Sequence, residues 1–451
     1  MTPSLLRAVR WVQDGVRNQL WPLPTLAIVL AVVLGILVPL LDLRVDQHLP
    51  AVLDTVVFNG DPGAARTVLD AVASSLITVT SLTFSLTVVT LQLASSQFSP
   101  RLLRTFTQDL FVQVTLGIFL ATFTFALTVL RSVRSPDEGG TAFVPRLAVT
   151  LAFVLALASV VALVLFLAHL TRQIRVETML LRVREDAAST LGTNLVRRDA
   201  SDPTYAVPAP PPSASVLRAS GSGFLTAVDQ DRLLRAAVEA DACVLVGRRP
   251  GSFVVEGTVL GRAWSSDDGP LGGEALDRLR QAVARSVRLG AERTGAQDVG
   301  YGFRQVTDIV NKALSPGVND PTTAVHGLGQ ASALLAAASA YRLGPLVLAD
   351  DQDRPRVVLD RPTLADLLEL VVAQPRAYGA SDPQVLARLY GLLADLAVHV
   401  DDQDRAAVAD QLRRLDATVA RQDLDDVESA RMAGLGRDVR EALAAGPGAA
   451  Q

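Results

Sequence analysis

The chain has 451 residues, 49% of them hydrophobic and 20% charged, with a formal net charge of -4 and one cysteine, Cys243. That is too apolar for an ordinary soluble protein and too polar for one confined to lipid, so a membrane half followed by a water-facing half is expected. The slightly acidic balance gives no basis for nucleic-acid binding, and a lone cysteine excludes an internal disulfide or a cysteine-based metal cluster.

Leu5, Val9, Val12, Val16 and Leu20 recur at helical spacing, separated by Arg7, Arg10, Asp14 and Arg17, with Trp11 and Trp21 nearby. The pattern predicts an amphipathic helix over 1–20 lying in the membrane interface. No small-residue cleavage site follows the first apolar run, which is therefore read as a retained span. The transmembrane domain covers 21–170, with four spans at about 23–41, 71–93, 110–130 and 147–170, each near the ~20 residues that cross a bilayer. Arg7, Arg10 and Arg17 precede the first span, Arg101 and Arg104 follow the second, and Arg172, Arg175, Arg182 and Arg184 follow the fourth. By the positive-inside rule both termini are expected in the cytoplasm, although Arg131, Arg134 and Arg146 in the opposite loop run against it.

Between Asp70 and Arg101 the chain carries no charge yet is crowded with hydroxyls and amides. At about 100° per residue, Ser74, Thr78, Ser81, Ser85, Gln92 and Ser96 fall on one stripe, broken at Val88. Thr80, Thr83, Thr87 and Thr90 fall on a roughly opposite one. Close helix packing accounts for one such stripe. A second stripe facing water would line a polar path, with Arg101 and Arg104 placing charge at its end. The uncharged stretch is about 30 residues, ~45 Å as helix, against a ~30 Å hydrocarbon core. The helix is therefore expected to project past the membrane near 92–99, where Pro100 would stop it. No span carries an acidic or basic residue at its centre, which argues against a proton-coupled pump or a voltage sensor. His169 reads as an interface residue.

An Arg-rich helix leaving the membrane is expected over 171–198, then a linker over 199–222 containing Pro208, Pro210, Pro211 and Pro212 followed by Ser213 and Ser215. A small β-module is expected over 223–272, with strands at 223–228 and 242–246 and tight turns at Gly251 and Gly257. Its run 249–260 is similar to the turn-and-strand pattern of biotinyl or lipoyl carriers, but the only lysine, Lys312, lies far downstream. From 273 to 451 the pattern is helical, with helices at 274–292, 303–314, 321–340, 364–373, 383–400 and 405–421. The fold class is thus an α-helical four-span bundle followed by a mainly helical α+β cytoplasmic domain. Asp320 and Asp382 each precede a proline and suit helix N-caps. The competing functional reading has Asn319, Asp320, Arg376, Tyr378 and Asp382 converge on one pocket or subunit contact, where helix N-termini and Arg376 would hold an anion. Asp-Asp-Gln-Asp-Arg occurs at both 350–354 and 401–405. Without the glycine and glutamate of a calcium loop, both copies read as solvated loops.

Three segments are distinctive: QLASSQFSPRLLRTF at 92–106, DIVNKALSPGVNDPTTA at 308–324 and QPRAYGASDP at 374–383. With the four-span layout they resemble the bacterial integral-membrane proteins grouped as domain-of-unknown-function family 2254. The resemblance covers nearly the whole chain and implies a bacterial inner-membrane protein with a cytoplasmic domain; it brings no activity or cofactor. No phosphate-binding loop, GxSxG elbow, HExxH pair or dinucleotide fingerprint occurs, and His48, His169, His326 and His399 are scattered. No enzyme activity, cofactor or metal is expected. The leading expectation is an oligomeric inner-membrane channel or pore lined by the second span, with membrane lipid and other copies of the chain as partners. The alternative is a membrane-anchored sensor or scaffold whose cytoplasmic domain binds a ligand or protein.

Overall fold

The computed structural model describes residues 21–45, 57–97, 109–135, 143–173, 175–199 and 205–445. The interfacial helix expected over 1–20, together with Pro100, Arg101 and Arg104, lies outside the described residues. The chain divides into two compact units, Met1–Arg175 and Val176–Gln451.

Four helices long and apolar enough to cross a membrane build the first unit. They are α1 (Pro22–Val45), α2 (Pro62–Gln97), α3 (Leu110–Leu130) and α4 (Arg146–Gln173). The α2 helix has 36 residues. At ~1.5 Å per residue it outruns a ~30 Å hydrocarbon core, as the uncharged stretch implied. The central helix is α3, which packs against the other three. At one end Ala31, Ala65, Ala73, Ala126, Ala148 and Ala152 surround Leu69, Phe125 and Val129, so small side chains bring the backbones close. At the other end Val112, Leu116, Phe166 and Leu170 form a second cluster.

Helix ends are closed by specific bonds that satisfy orphan backbone groups. Asp42 on α1, 2% exposed, accepts from the N–H groups of Leu147 and Ala148, both at 3.1 Å, and so caps α4 from another helix. Arg146 Nε donates to the Phe58 carbonyl at 2.9 Å, and Arg66 donates to the Val133 carbonyl at 3.1 Å. At the opposite end Asp109 caps α3 through Phe111 N–H at 2.8 Å. Its second oxygen meets His169 Nε2 at 2.9 Å, giving His169 a partner that the sequence did not reveal.

In the second unit the chain runs through α5 (Val176–Asn194), β1 (Ser215–Arg218), β2 (Gly223–Val228), α6 (Gln230–Glu239), β3 (Ala242–Val246), β4 (Phe253–Val254) and β5 (Val259–Ser265). It continues through α7 (Gly273–Ser286), β6 (Val287–Gly290), α8 (Gly300–Ala313), α9 (Pro321–Ser339), β7 (Leu346–Ala349) and β8 (Pro355–Leu359). The helices α10 (Leu364–Tyr378), α11 (Pro383–Ala397), α12 (Asp402–Val419) and α13 (Asp426–Ala445) complete it. One sheet has the order β1-β5-β3-β8-β7 and the other β4-β2-β6. All pairs are antiparallel except β3 with β8. Helices α6 and α7 pack on each other and α6 also packs on the larger sheet, while α5 and α8–α13 form a helical layer.

Several sequence boundaries move for tertiary reasons. The helix expected over 171–198 is divided: α5 begins at Val176, and its buried stripe of Met179, Leu180, Val183, Ala187 and Leu191 belongs to the second unit, against α8 and α9. The expected linker contains β1, recruited by β5. The 223–272 stretch does not close on itself, because β3 takes β8 as a parallel neighbour from about 110 residues on. The end of the helix expected at 274–292 instead pairs with β2 as β6. Gly251 and Gly257 do take left-handed turns, at φ +88° and +77°. At Gly251 a Cβ would also meet a carboxylate oxygen of Asp298 at 1.9 Å.

The two Asp-Asp-Gln-Asp-Arg copies serve different ends. Asp401 N-caps α12 and pairs with Arg198. Asp350, read from sequence as solvated, is 6% exposed and organises the β7–β8 turn. Its carboxylate accepts from the Gln352 and Arg354 N–H groups at 3.0 Å and from Arg356 Nε at 2.8 Å. Burial opposes ionisation of Asp350, yet these donors hold its carboxyl well below the usual range. Arg356, 1% exposed, reaches Asp241 at 2.8 Å and the Ser266 hydroxyl at 3.0 Å as well.

Candidate functional site

The polar groups of α2 divide by face. Thr80, Thr83, Thr87 and Thr90 are buried in the bundle. Thr80 donates to the Leu76 carbonyl at 2.6 Å, Thr87 to that of Thr83 at 2.8 Å and Thr90 to that of Leu86 at 2.9 Å. A hydroxyl bonded one turn back in its own helix needs no outside acceptor, so these threonines pack as small side chains. Thr122 and Ser159 extend the seam across α3 and α4, with their hydroxyls 3.3 Å apart.

The other stripe faces away from the bundle. Ser74, Thr78, Ser81, Ser85 and Gln92 are all exposed. Ser96 continues α2 in sequence, and its side chain lies outside the described residues. Thr78 and Ser81 bond to the carbonyls of Ser74 and Ile77 at 3.1 and 2.9 Å. Their donors are therefore satisfied, while the oxygens keep acceptor capacity toward the outside. Ile77, Leu82, Phe84, Val88 and Val89 are exposed around them, so the outer surface of α2 alternates polar and apolar strips. Inside the bundle the space is filled by Phe119, Phe125 and Phe166, each no more than 1% exposed.

In the second unit the five residues singled out from sequence go to separate tasks. Asp320 caps α9, accepting from the Thr323 N–H at 3.0 Å and the Thr323 hydroxyl at 2.6 Å, which hold its carboxyl below the usual range. Asp382 caps α11 through Gln384 N–H at 2.9 Å and Val385 N–H at 3.0 Å. Asn319 takes a left-handed φ of +50° just before the α9 cap. Arg376 donates to the Thr418 hydroxyl of α12 at 2.8 Å, and Tyr378 is exposed at the end of α10. Among the described residues no hydrogen bond joins any two of the five. The two motif segments nevertheless meet, through a residue not singled out: Gln374 Oε1 accepts from Asn311 Nδ2 at 2.7 Å and Arg304 at 3.3 Å. Neutral amides 63 positions apart leave no charge or periodicity signal of such a contact.

Among the described residues no His, Cys, Asp and Glu side chains cluster in a metal-holding arrangement. Cys243 is buried in β3, and burial pushes its thiol up to about 11, far from a reactive thiolate.

Four membrane-length helices joined to a unit of sheets and helices define an integral-membrane protein with a substantial second unit. The chain belongs to the family described as predicted membrane protein, domain of unknown function 2254, which matches residues 17–395. It is 34% identical over 433 residues to an uncharacterized protein of Mycobacterium bovis, covering 96% of this chain and 82% of that one. Uncharacterized proteins of Mycobacterium tuberculosis strains H37Rv and CDC 1551 match to the same extent. No solved structure matches the chain.

Proposed function

We propose that the chain forms an oligomeric channel or pore in the bacterial inner membrane, with α2 lining a polar path between copies. The observation that supports this reading is the division of α2. Its threonine stripe is used by packing within one chain, while Ser74, Thr78, Ser81, Ser85 and Gln92 face outward with nothing among the described residues to cover them. Phe119, Phe125 and Phe166 fill the interior of a single bundle, so a path would run between subunits. Neutral hydroxyls and an amide offer weak selectivity, and Arg101 and Arg104 would supply charge discrimination at one end. Both termini and the second unit are assigned to the cytoplasm from the Arg residues flanking the first, second and fourth spans.

The test is conductance of the full chain in planar bilayers. Discrete currents are expected, and Ser81→Leu or Ser85→Leu should abolish them with assembly intact. Unchanged currents in both variants overturn the lining assignment. Cysteine substitution gives a second readout, because buried Cys243 contributes little labelling background. A water-soluble thiol reagent should block Ser85→Cys and leave Thr83→Cys untouched.

A further inference from the structure

We propose that a groove between α1 and α3 binds an anionic phospholipid, its phosphate held by Arg131 and Arg134. The groove has a volume of about 790 Å³, within the ~300–1,000 Å³ range of sites that enclose small molecules. Gly35 brings the two helices together, since a Cβ there would meet Thr128 Cβ at 2.7 Å. Gly117 lies beside Ala27 and Pro24 at ordinary contact distance, so α1 and α3 run parallel and both end at the same side of the bundle. Along α1 the lining starts at Val32 and finishes at Leu43. That is about 16 Å of helix, half of a ~30 Å hydrocarbon core and hence the depth of one leaflet.

The ends of the groove differ in chemistry. Val32, Ile36, Leu40 and Leu127 give its deeper part an apolar wall suited to an acyl chain, and Arg131, Ser132 and Arg134 sit where the helices emerge. Two other basic groups at this end are occupied: Arg66 bonds the Val133 carbonyl and Arg146 that of Phe58. Neither the Arg131 nor the Arg134 side chain has a hydrogen bond or ion pair among the described residues, and both are exposed. Guanidinium groups recognise phosphate by paired, charge-assisted hydrogen bonds. An apolar slot one leaflet deep beneath two uncommitted guanidiniums complements a phospholipid carrying net negative charge. It also gives a use to arginines that run against the charge bias of the other loops.

The full chain, purified in detergent, is titrated with palmitoyl-oleoyl phosphatidylglycerol or the matching phosphatidylcholine and followed by native mass spectrometry. Phosphatidylglycerol should be retained preferentially. A basic residue at an anionic lipid contributes on the order of fivefold, so Arg131→Gln with Arg134→Gln should weaken retention about 30-fold. Leu127→Trp, which fills the apolar part and keeps both arginines, should weaken it too. Arg44→Gln, an exposed arginine outside the groove at the same end, should leave retention unchanged. Equal retention of the two lipids overturns the assignment, as does an Arg44→Gln loss equal to that of the double variant. A groove closed by a second copy, seen as a lipid-free dimer indifferent to the double variant, also overturns it.

Discussion

Apart from Asp42, the buried polar side chains described in the four-helix unit are neutral, namely threonines, Ser159 and Gln113, whereas the second unit buries Arg356 at 1% exposure against Asp350 at 6%. The threonine and serine donors are met mostly one turn back in their own helices, as in Thr80, Thr87 and Thr122. The charges of the second unit are met across the chain, with Arg356 joining the β7–β8 turn to Asp241 beside β3. The difference follows from the unfolded reference. A membrane helix keeps its intrahelical bonds even when separated from its neighbours, so a back-bonded hydroxyl gains or loses little on assembly. A charge transferred from water into a protein interior loses hydration and must find its partners in the folded structure.

The largest test of this contrast is Arg356→Leu, which removes the buried guanidinium that pairs with Asp350. A loss of about 3–5 kcal/mol is expected, read as a lowered melting temperature of the full chain by circular dichroism. A loss below ~1 kcal/mol would mean the carboxylate is held well enough by Arg354 and its backbone donors. Acid should strike the same place. The Asp350 carboxyl titrates below its ordinary value of 3.8 when folded. Its contribution is therefore present in full above about pH 4 and is lost as the pH falls further. Asp241 and Asp320, also lowered, act in the same direction. Acid melts of the second unit should accordingly steepen below pH 4.

Asp42→Ala should cost about 1–2 kcal/mol, the loss of an N-cap, and Asp42→Asn part of that, because the amide oxygen can replace only one of the two accepting oxygens. Thermal melts in detergent would show it. If Asp42→Ala were neutral, water would be satisfying the first turn of α4. The smallest effect should come from Thr122→Val, which removes one hydroxyl of the Thr122–Ser159 contact and should cost about 0.6 kcal/mol. A cost of several kcal/mol would give the membrane seam the interlocked character of the second unit and erase the contrast.

Much of the membrane unit was legible because its physics is local. Length and apolarity fix a span, and the 100° period places Thr80, Thr83, Thr87 and Thr90 on one face and Ser74, Ser81 and Ser85 on another. The caps Asp320-Pro321 and Asp382-Pro383 were equally readable, since a cap acts on the next three residues. What the residue pattern left open was which stripe turns inward, because both carry neutral hydroxyls of similar size. The decision came from α3 and α4 meeting the threonine face.

The sequence by itself determined four membrane-length helices, family membership and the helices of the second unit from Gly300 to Val419. Only the tertiary structure decided that β8 completes the sheet of β3, that Arg356 is buried, that Asp42 caps a helix more than 100 residues away and that α1 and α3 leave a groove ending in two arginines. Helix formation is written in spacings of three and four residues. Strand partners, buried ion pairs and grooves depend on segments far apart in the chain, and no local period records them.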